Sequence, residues 1–221
     1  MKWPTASELG ALMTLPEGYR FEFLRRADVP ELAAALGRWH PDIAIGGASC
    51  YLREAFYAEQ VYFEDGPDGD VMVVVFVQGR ELVGMWSLEK EPDSLTLYAR
   101  LIVIDPKHRS AKLASNVMPI AESVGRAMGA GLIFAAATLK IPHIQHALET
   151  VGWQFVGFTS GYDQEVVSPG VAKRVFEAVY CKVLVPAEDL VQPDPKNLTP
   201  RARALWEAIC GDTTPVVGHR P

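Results

Sequence analysis

Lys107, His108, Arg109 and Lys112 crowd into one short stretch between a strand pattern and a helical pattern. All four donate hydrogen bonds when charged, and the backbone N–H groups that open a helix have no intrahelical partner. A small basic turn that opens a helix is therefore a place to hold a phosphate. A second group is His143 and His146, three apart on one face of an expected helix. Imidazole titrates near neutral pH and suits proton transfer, although a pair of surface or cap-side histidines is the simpler reading. No third ligand follows at a zinc spacing. Cys50, Cys181 and Cys210 lie far apart without metal-ligand spacing, so no metal is expected. A reduced, cytoplasmic compartment is the simplest reading of these cysteines.

The elements that must position the basic turn are plain. Residues 95–104 carry β-branched and bulky apolar side chains with no Gly or Pro, a strand signal. From Leu113 the period changes, with Val117, Ile120, Ala121, Val124, Ala127 and Met128 at helical spacing until Gly129. Pro119 lies well inside this pattern and is expected to bend or interrupt the helix. Residues 131–138 form the next apolar strand, which makes a strand–helix–strand unit with parallel pairing.

Residues 104–114, Ile-Asp-Pro-Lys-His-Arg-Ser-Ala-Lys-Leu-Ala, resemble the acyl-CoA motif of the GNAT superfamily of N-acetyltransferases. Every position of that motif fits except Lys112, which stands where the family has its first Gly. In the family that Gly lets backbone amides close on the pyrophosphate of coenzyme A. The resemblance implies that the pyrophosphate meets the amides of Arg109, Ser110, Ala111, Lys112, Leu113 and Ala114. It implies further that the pantetheine arm pairs with the backbone of Ile102 and Ile104. The implied fold is α/β (α+β), a GNAT-like mixed, mainly antiparallel sheet flanked by helices on both faces. The implied chemistry is acetyl transfer from acetyl-CoA to an amine of a small molecule or protein.

The Tyr that commonly serves the family as general acid would fall at Leu148, so that role has no matching residue. His146 is a substitute. Glu89 and Tyr98 are the nominees for removing a proton from the acceptor. Positioning alone, which leaves no trace in sequence, is another source of rate. Two other classes stay open. Lys112 and the aromatic-rich stretch around Tyr51, Phe56, Tyr57, Tyr62 and Phe63 suit a longer acyl group or an acyl carrier protein. The missing Tyr suits a non-catalytic binding module.

The remaining chain fits a domain over residues 1–185. Residues 8–13, including Glu8, Leu12 and Met13, are weakly patterned. Tyr19, Phe21 and Phe23 alternate in a first strand, and Asp28-Val29-Pro30-Glu31 caps a helix. Ser49 is expected to cap a helix carrying Leu52, Phe56 and Tyr57, whose rings either pack on the sheet or cover the acceptor cleft. Residues 65–70 make a turn lacking the further ligands of a calcium loop. Residues 71–77, 81–88 and 95–104 form an antiparallel meander. Pro142 opens a helix over 143–150, and 153–159 and 175–185 are the last strands, joined by a long loop. Residues 186–221 read as a Pro-rich linker and a helix opened by Thr199 and Pro200, suited to homodimer contacts or to packing down.

The chain has 221 residues, of which 49% are hydrophobic and 22% charged, as in ordinary globular domains. Its net charge of −6 argues against a general nucleic-acid or anionic-membrane binder. No apolar run approaches membrane-spanning length, and the first residues lack an apolar signal core.

Overall fold

Alternating apolar runs and short turns assemble one mixed sheet in the order β1-β2-β3-β4-β5-β7-β6. A computed structural model describes residues 1–12 and 15–210. Met13 and the tail beyond 210 lie outside the described residues. The chain divides into two compact units, Met1–Leu184 and Val185–Pro221.

The first unit opens with α1 (Ala6–Leu12), β1 (Tyr19–Phe23) and α2 (Val29–Trp39). Asp28 precedes α2 without capping it, because its carboxylate is taken by Arg25 Nε at 2.6 Å. Ser49 caps nothing either. Gly47–Leu52 is a 3-10 turn, and α3 (Glu54–Gln60) starts after Arg53. The meander then runs through β2 (Val71–Gln78), β3 (Glu81–Glu91) and β4 (Thr96–Ile104), all antiparallel. A 3-10 turn (Pro106–Ala111) leads into α4 (Leu113–Ala127), and β5 (Leu132–Thr138) returns parallel to β4. Pro119 does not interrupt α4. It sits on the exposed side, while Val117, Met118, Ile120, Ala121 and Val124 hold the helix onto the sheet. α5 spans His143–Thr150.

The ending differs from the sequence reading. β6 (Gln154–Ser168) and β7 (Val171–Val183) form one long hairpin, so residues 160–165 are strand and not loop. Their polar, Gly-containing composition lacks strand propensity, but Asp163, Gln164 and Glu165 pair with Val175, Arg174 and Lys173. Register breaks between Phe155/Gly157, Ser160/Asp163 and Val166/Ser168 bend this ribbon. In the second unit α6 (Pro200–Cys210) begins as the sequence suggests, with Thr199 Oγ1 accepting from Ala202 N–H at 3.2 Å.

Helices cover both faces of the sheet. On one face α1, α4 and α5 contribute Leu9, Val117, Val124 and Leu148 to a core with Met72, Val74, Trp86, Leu97 and Ile133. On the other face α2 and α3 pack Leu32, Leu36 and Tyr57 against Val73, Val75, Met85 and Val103. Tyr51, Tyr57 and Phe63 are buried in this second core, so the aromatic stretch serves packing. Burial of each large apolar side chain is worth about 1.5–3 kcal/mol, which makes these two layers the main source of stability.

Candidate functional site

Two irregularities of β4 create the site. The first is a bulge. Ser87 pairs with Leu101 and Leu88 with Ala99, which leaves Arg100 unopposed on β3. Ala99 and Ile102 therefore both turn to the α4 side, whereas Leu101 and Val103 face α2 and α3. The second is a splay. β4 and β5 share only the pairs Thr96–Leu132, Leu97–Ile133 and Tyr98–Phe134, although both strands continue. Beyond Tyr98 they part, and the β4 edge that carries Ile102 and Ile104 has no pairing with β5.

A cavity of about 660 Å³ fills this gap and passes through the sheet. Its wall on the α4–α5 side is apolar, with Val117, Met118, Ala135, Ala137 and Ile144. Trp86 lies there too, fully buried, and its indole N–H has no hydrogen-bond partner. On the α2–α3 side the wall is polar, with Ser87, Glu89, Tyr98, Arg100, Thr138, Tyr162, Asp163, Glu165 and Glu177.

The basic turn stands at the open end of the splay. Asp105 is buried and shapes it, accepting from Lys107 N–H and from Trp39 Nε1, both at 2.9 Å. Lys112 adopts the left-handed conformation, φ 55 and ψ 28. That is why a Gly suits this position: left-handed backbone costs any other residue roughly 1–2 kcal/mol. The Lys112 N–H turns back to Arg109 O at 3.3 Å. Leu113 and Ala114 are then the first two residues of a 15-residue helix, and their N–H groups have no intrahelical acceptor. Arg109, Ser110 and Lys112 are exposed beside them, and Ala111 is half-buried.

Of the acid–base nominees, Glu89 and Tyr98 are brought together and His146 is not. Glu89 and Tyr98 are cross-strand partners in the cavity wall. The Glu89 carboxylate is held by Arg100 Nη1 at 2.5 Å, and Arg100 in turn lies over the rings of Tyr51 and Phe56. Tyr98 stacks on Phe134, centroids 4.7 Å apart and planes within 9°. Burial, reinforced by Tyr162 and Glu177, pushes its hydroxyl pKa well up. His146 and His143 are exposed on α5, outside the cavity lining.

The sequence reading sets the connection over residues 160–165, with Tyr162, Asp163 and Glu165, beside the acceptor and gives Glu177 only a cross-strand pairing role; it does not single out Arg100. Arg100 matters because of a bulge, which has no clean sequence signature. Glu177 had a signal: it is a lone carboxylate inside the apolar run Val175-Phe176-Glu177-Ala178-Val179-Tyr180. Burial first, then the nearby Asp163 and Glu165 carboxylates, raise its pKa to about 7. Among the described residues no group of His, Cys, Asp and Glu could hold a metal ion, and no helix is long and apolar enough to cross a membrane.

No family model matches this chain, and no curated protein matches it by sequence. Solved structures do match. A spermidine N-acetyltransferase from Vibrio cholerae superposes with a TM-score of 0.60 at 13% identity, covering 76% of this chain and 95% of that one. A ribosomal-protein-S5-alanine acetyltransferase from Vibrio fischeri gives 0.57 at 12% identity, over 77% and 95%. An IAA acetyltransferase from Bacillus cereus gives 0.54 at 10% identity, over 75% and 99%. At such identities the likeness is one of architecture: this chain shares a GNAT-like fold with these structures.

Proposed function

We propose that the protein moves an acetyl group from acetyl-CoA to an amine. The observation that carries this reading is the parting of β4 and β5 beyond Tyr98 and Phe134, next to the N-terminus of α4. The gap suits the carrier in shape and chemistry. Its α4 side is apolar, as a pantetheine arm requires, and the free β4 edge at Ile102 and Ile104 offers backbone groups to the arm's amides. The N–H groups of Leu113 and Ala114, with Arg109, Ser110, Ala111 and Lys112 around them, suit a pyrophosphate. Acetyl-CoA would supply an activated acyl carbon there, and main-chain donors at the Arg100 bulge suit its carbonyl oxygen.

The polar side of the cavity suits the acceptor. Tyr98 on β4 is its proton-transfer group, and Glu89 on β3, tied to Arg100, is a positioning residue. Tyr98, whose raised pKa keeps it protonated at neutral pH, acts as a proton donor to the leaving sulfur and not as a base.

Binding comes first as a test. Calorimetric titration and thermal shift with acetyl-CoA, longer acyl-CoAs and acyl carrier protein separate the carriers. A ligand at a hundredfold excess over its Kd adds about 2.7 kcal/mol of stability. Acetyl-CoA should bind and the others should bind more weakly. The acceptor is then sought with labelled acetyl-CoA in a metabolite screen. No binding of any carrier would remove the acetyl-transfer reading.

A further inference from the structure

Glu177 sits where a carboxylate is costly. On β7 it lies directly opposite Thr138 of β5 and Thr159 of β6. Directly opposed residues share a face. Phe134 is opposite Tyr98, and Thr138 follows Phe134 at even spacing along β5. Glu177 therefore points to the same side of the sheet as Tyr98, the polar side of the cavity that it lines. Its exposure is 9%, and its Oε2 is buried without a hydrogen-bond partner. The Oγ1 of Thr159, across the pair, is buried and unpartnered as well.

A buried carboxylate is normally matched by a cation or by several donors. Among the described residues Glu177 has no ion pair. The cations around the cavity are committed elsewhere: Arg100 to Glu89, Lys140 to Glu165 and Asp42, and Lys90 to Asp68. The other titratable groups that face it are Asp163 and Glu165 of β6, with the hydroxyls of Tyr98 and Tyr162. Asp163 accepts from the Gly47 and Gln164 N–H groups, both at 2.7 Å. His40, also in the lining, has its pKa lowered by burial. The surroundings of Glu177 are thus negative, and no donor pairs with its Oε2.

We propose that Glu177 receives the acceptor as a primary alkylammonium and takes its proton, so that the amine attacks from the polar side of the cavity. The inference rests on the acetyl-transfer reading above. One N–H proton passes to the Glu177 carboxylate, and the freed lone pair forms the C–N bond to the thioester carbon. The C–S bond breaks and its electron pair leaves on sulfur. The Tyr98 hydroxyl protonates that sulfur to give the thiol, the second proton shed by nitrogen replaces the one Tyr98 gave, and Glu177 returns its own proton to solvent. A carboxyl poised near neutrality does this at low driving cost, whereas an ordinary exposed Glu is too weak a base.

The test uses the full chain with Glu177→Gln and Glu177→Asp. Thiol release from acetyl-CoA is followed across pH with n-butylamine, benzylamine, ethanolamine and lysine methyl ester. Calorimetry should give the same acetyl-CoA affinity, within twofold, for wild type and both variants. Against the best amine, kcat/KM of Glu177→Gln should fall about 100-fold or more near neutral pH. The rising limb of the wild-type profile, centred near the Glu177 pKa of about 7, should vanish in that variant. Glu177→Asp should restore part of the rate and the limb, which a purely structural role would not do. Unchanged kcat/KM with the limb intact in Glu177→Gln overturns the assignment. So does a wild type that binds acetyl-CoA but releases thiol with none of the four amines. A wild type that does not bind acetyl-CoA overturns the acetyl-transfer reading, and this inference with it.

Discussion

Tyr98 and Phe134 are the last pair that β4 and β5 hold in common, and their rings stack face to face at the point where the strands part. The stack closes the narrow end of the splay. The stack is structural, whereas the Tyr98 hydroxyl is the proposed proton donor, and variants can separate the two.

Tyr98→Phe keeps the stack and removes only the hydroxyl. Melting temperature should stay within a degree or two, while kcat should fall on the order of tenfold with KM unchanged if the hydroxyl donates a proton. Phe134→Ala should instead cost about 2–3 kcal/mol in a urea melt, because it removes both ring packing and burial. Glu89→Gln should loosen Arg100 and raise KM more than it lowers kcat. His146→Ala should leave both constants within twofold, since His146 is exposed outside the cavity lining.

Lys112 stands in a backbone conformation that Gly adopts without penalty. Lys112→Gly relieves about 1–2 kcal/mol of left-handed cost but loosens the unfolded chain by about 0.5–1 kcal/mol. A net gain of a few tenths to about 1 kcal/mol is expected, read as a rise of about 1–4 °C in melting temperature. Acetyl-CoA affinity should hold or tighten in this variant, and it should weaken in Arg109→Ala. If an acyl carrier protein is the true donor, Lys112→Gly should slow its association, most visibly at low salt.

Glu177 also makes stability depend on pH, with a sign that can be worked out. Its carboxyl binds a proton more tightly in the folded chain, at about 7, than at its ordinary value of 4.5. Between those values the folded state holds the extra proton, so this group's contribution falls as pH rises through the window. Glu177→Gln removes the penalty. The variant should be more stable than wild type at about pH 8, by on the order of 1–3 kcal/mol, with the gap closing as pH falls towards 4.5. Paired thermal melts over this range check it, and a constant gap would contradict it.

Asp105 ties the basic turn to α2 through Trp39 Nε1 and to its own backbone through Lys107 N–H. Asp105→Ala leaves a buried indole donor unpaired, which costs about 1–3 kcal/mol. The same change should weaken acetyl-CoA binding several-fold, although no Asp105 atom need touch the carrier. Glu59→Ala, exposed on α3, serves as the control and should change neither measurement.

Local patterns in the chain were enough for the elements that flank the basic loop. The strand ending at Ile104, the helix opening at Leu113 and the helix over His143–Thr150 all followed from short-range periodicity and punctuation. So did the antiparallel meander and the parallel return of β5. These features depend on residues close in sequence, where spacing and propensity act directly. The left-handed state of Lys112 was visible only as a departure from a Gly position; its physical meaning needed the backbone angle.

The polar side of the cavity was decided by tertiary pairing. Residues 160–165 have the composition of a loop, and only hairpin pairing with β7 makes them strand. That pairing carries Tyr162, Asp163 and Glu165 to the cavity, and the register of β7 against β5 sets Glu177 opposite Thr138. A shift of one residue in that register would turn Glu177 to the other face. The Arg100 bulge likewise exists only because β3 and β4 disagree by one residue between Ser87 and Leu88. Side-chain direction in a sheet follows from partners on other strands, so the basic loop before α4 could be read from the chain, while the polar lining of the cavity emerged only once the strands were paired.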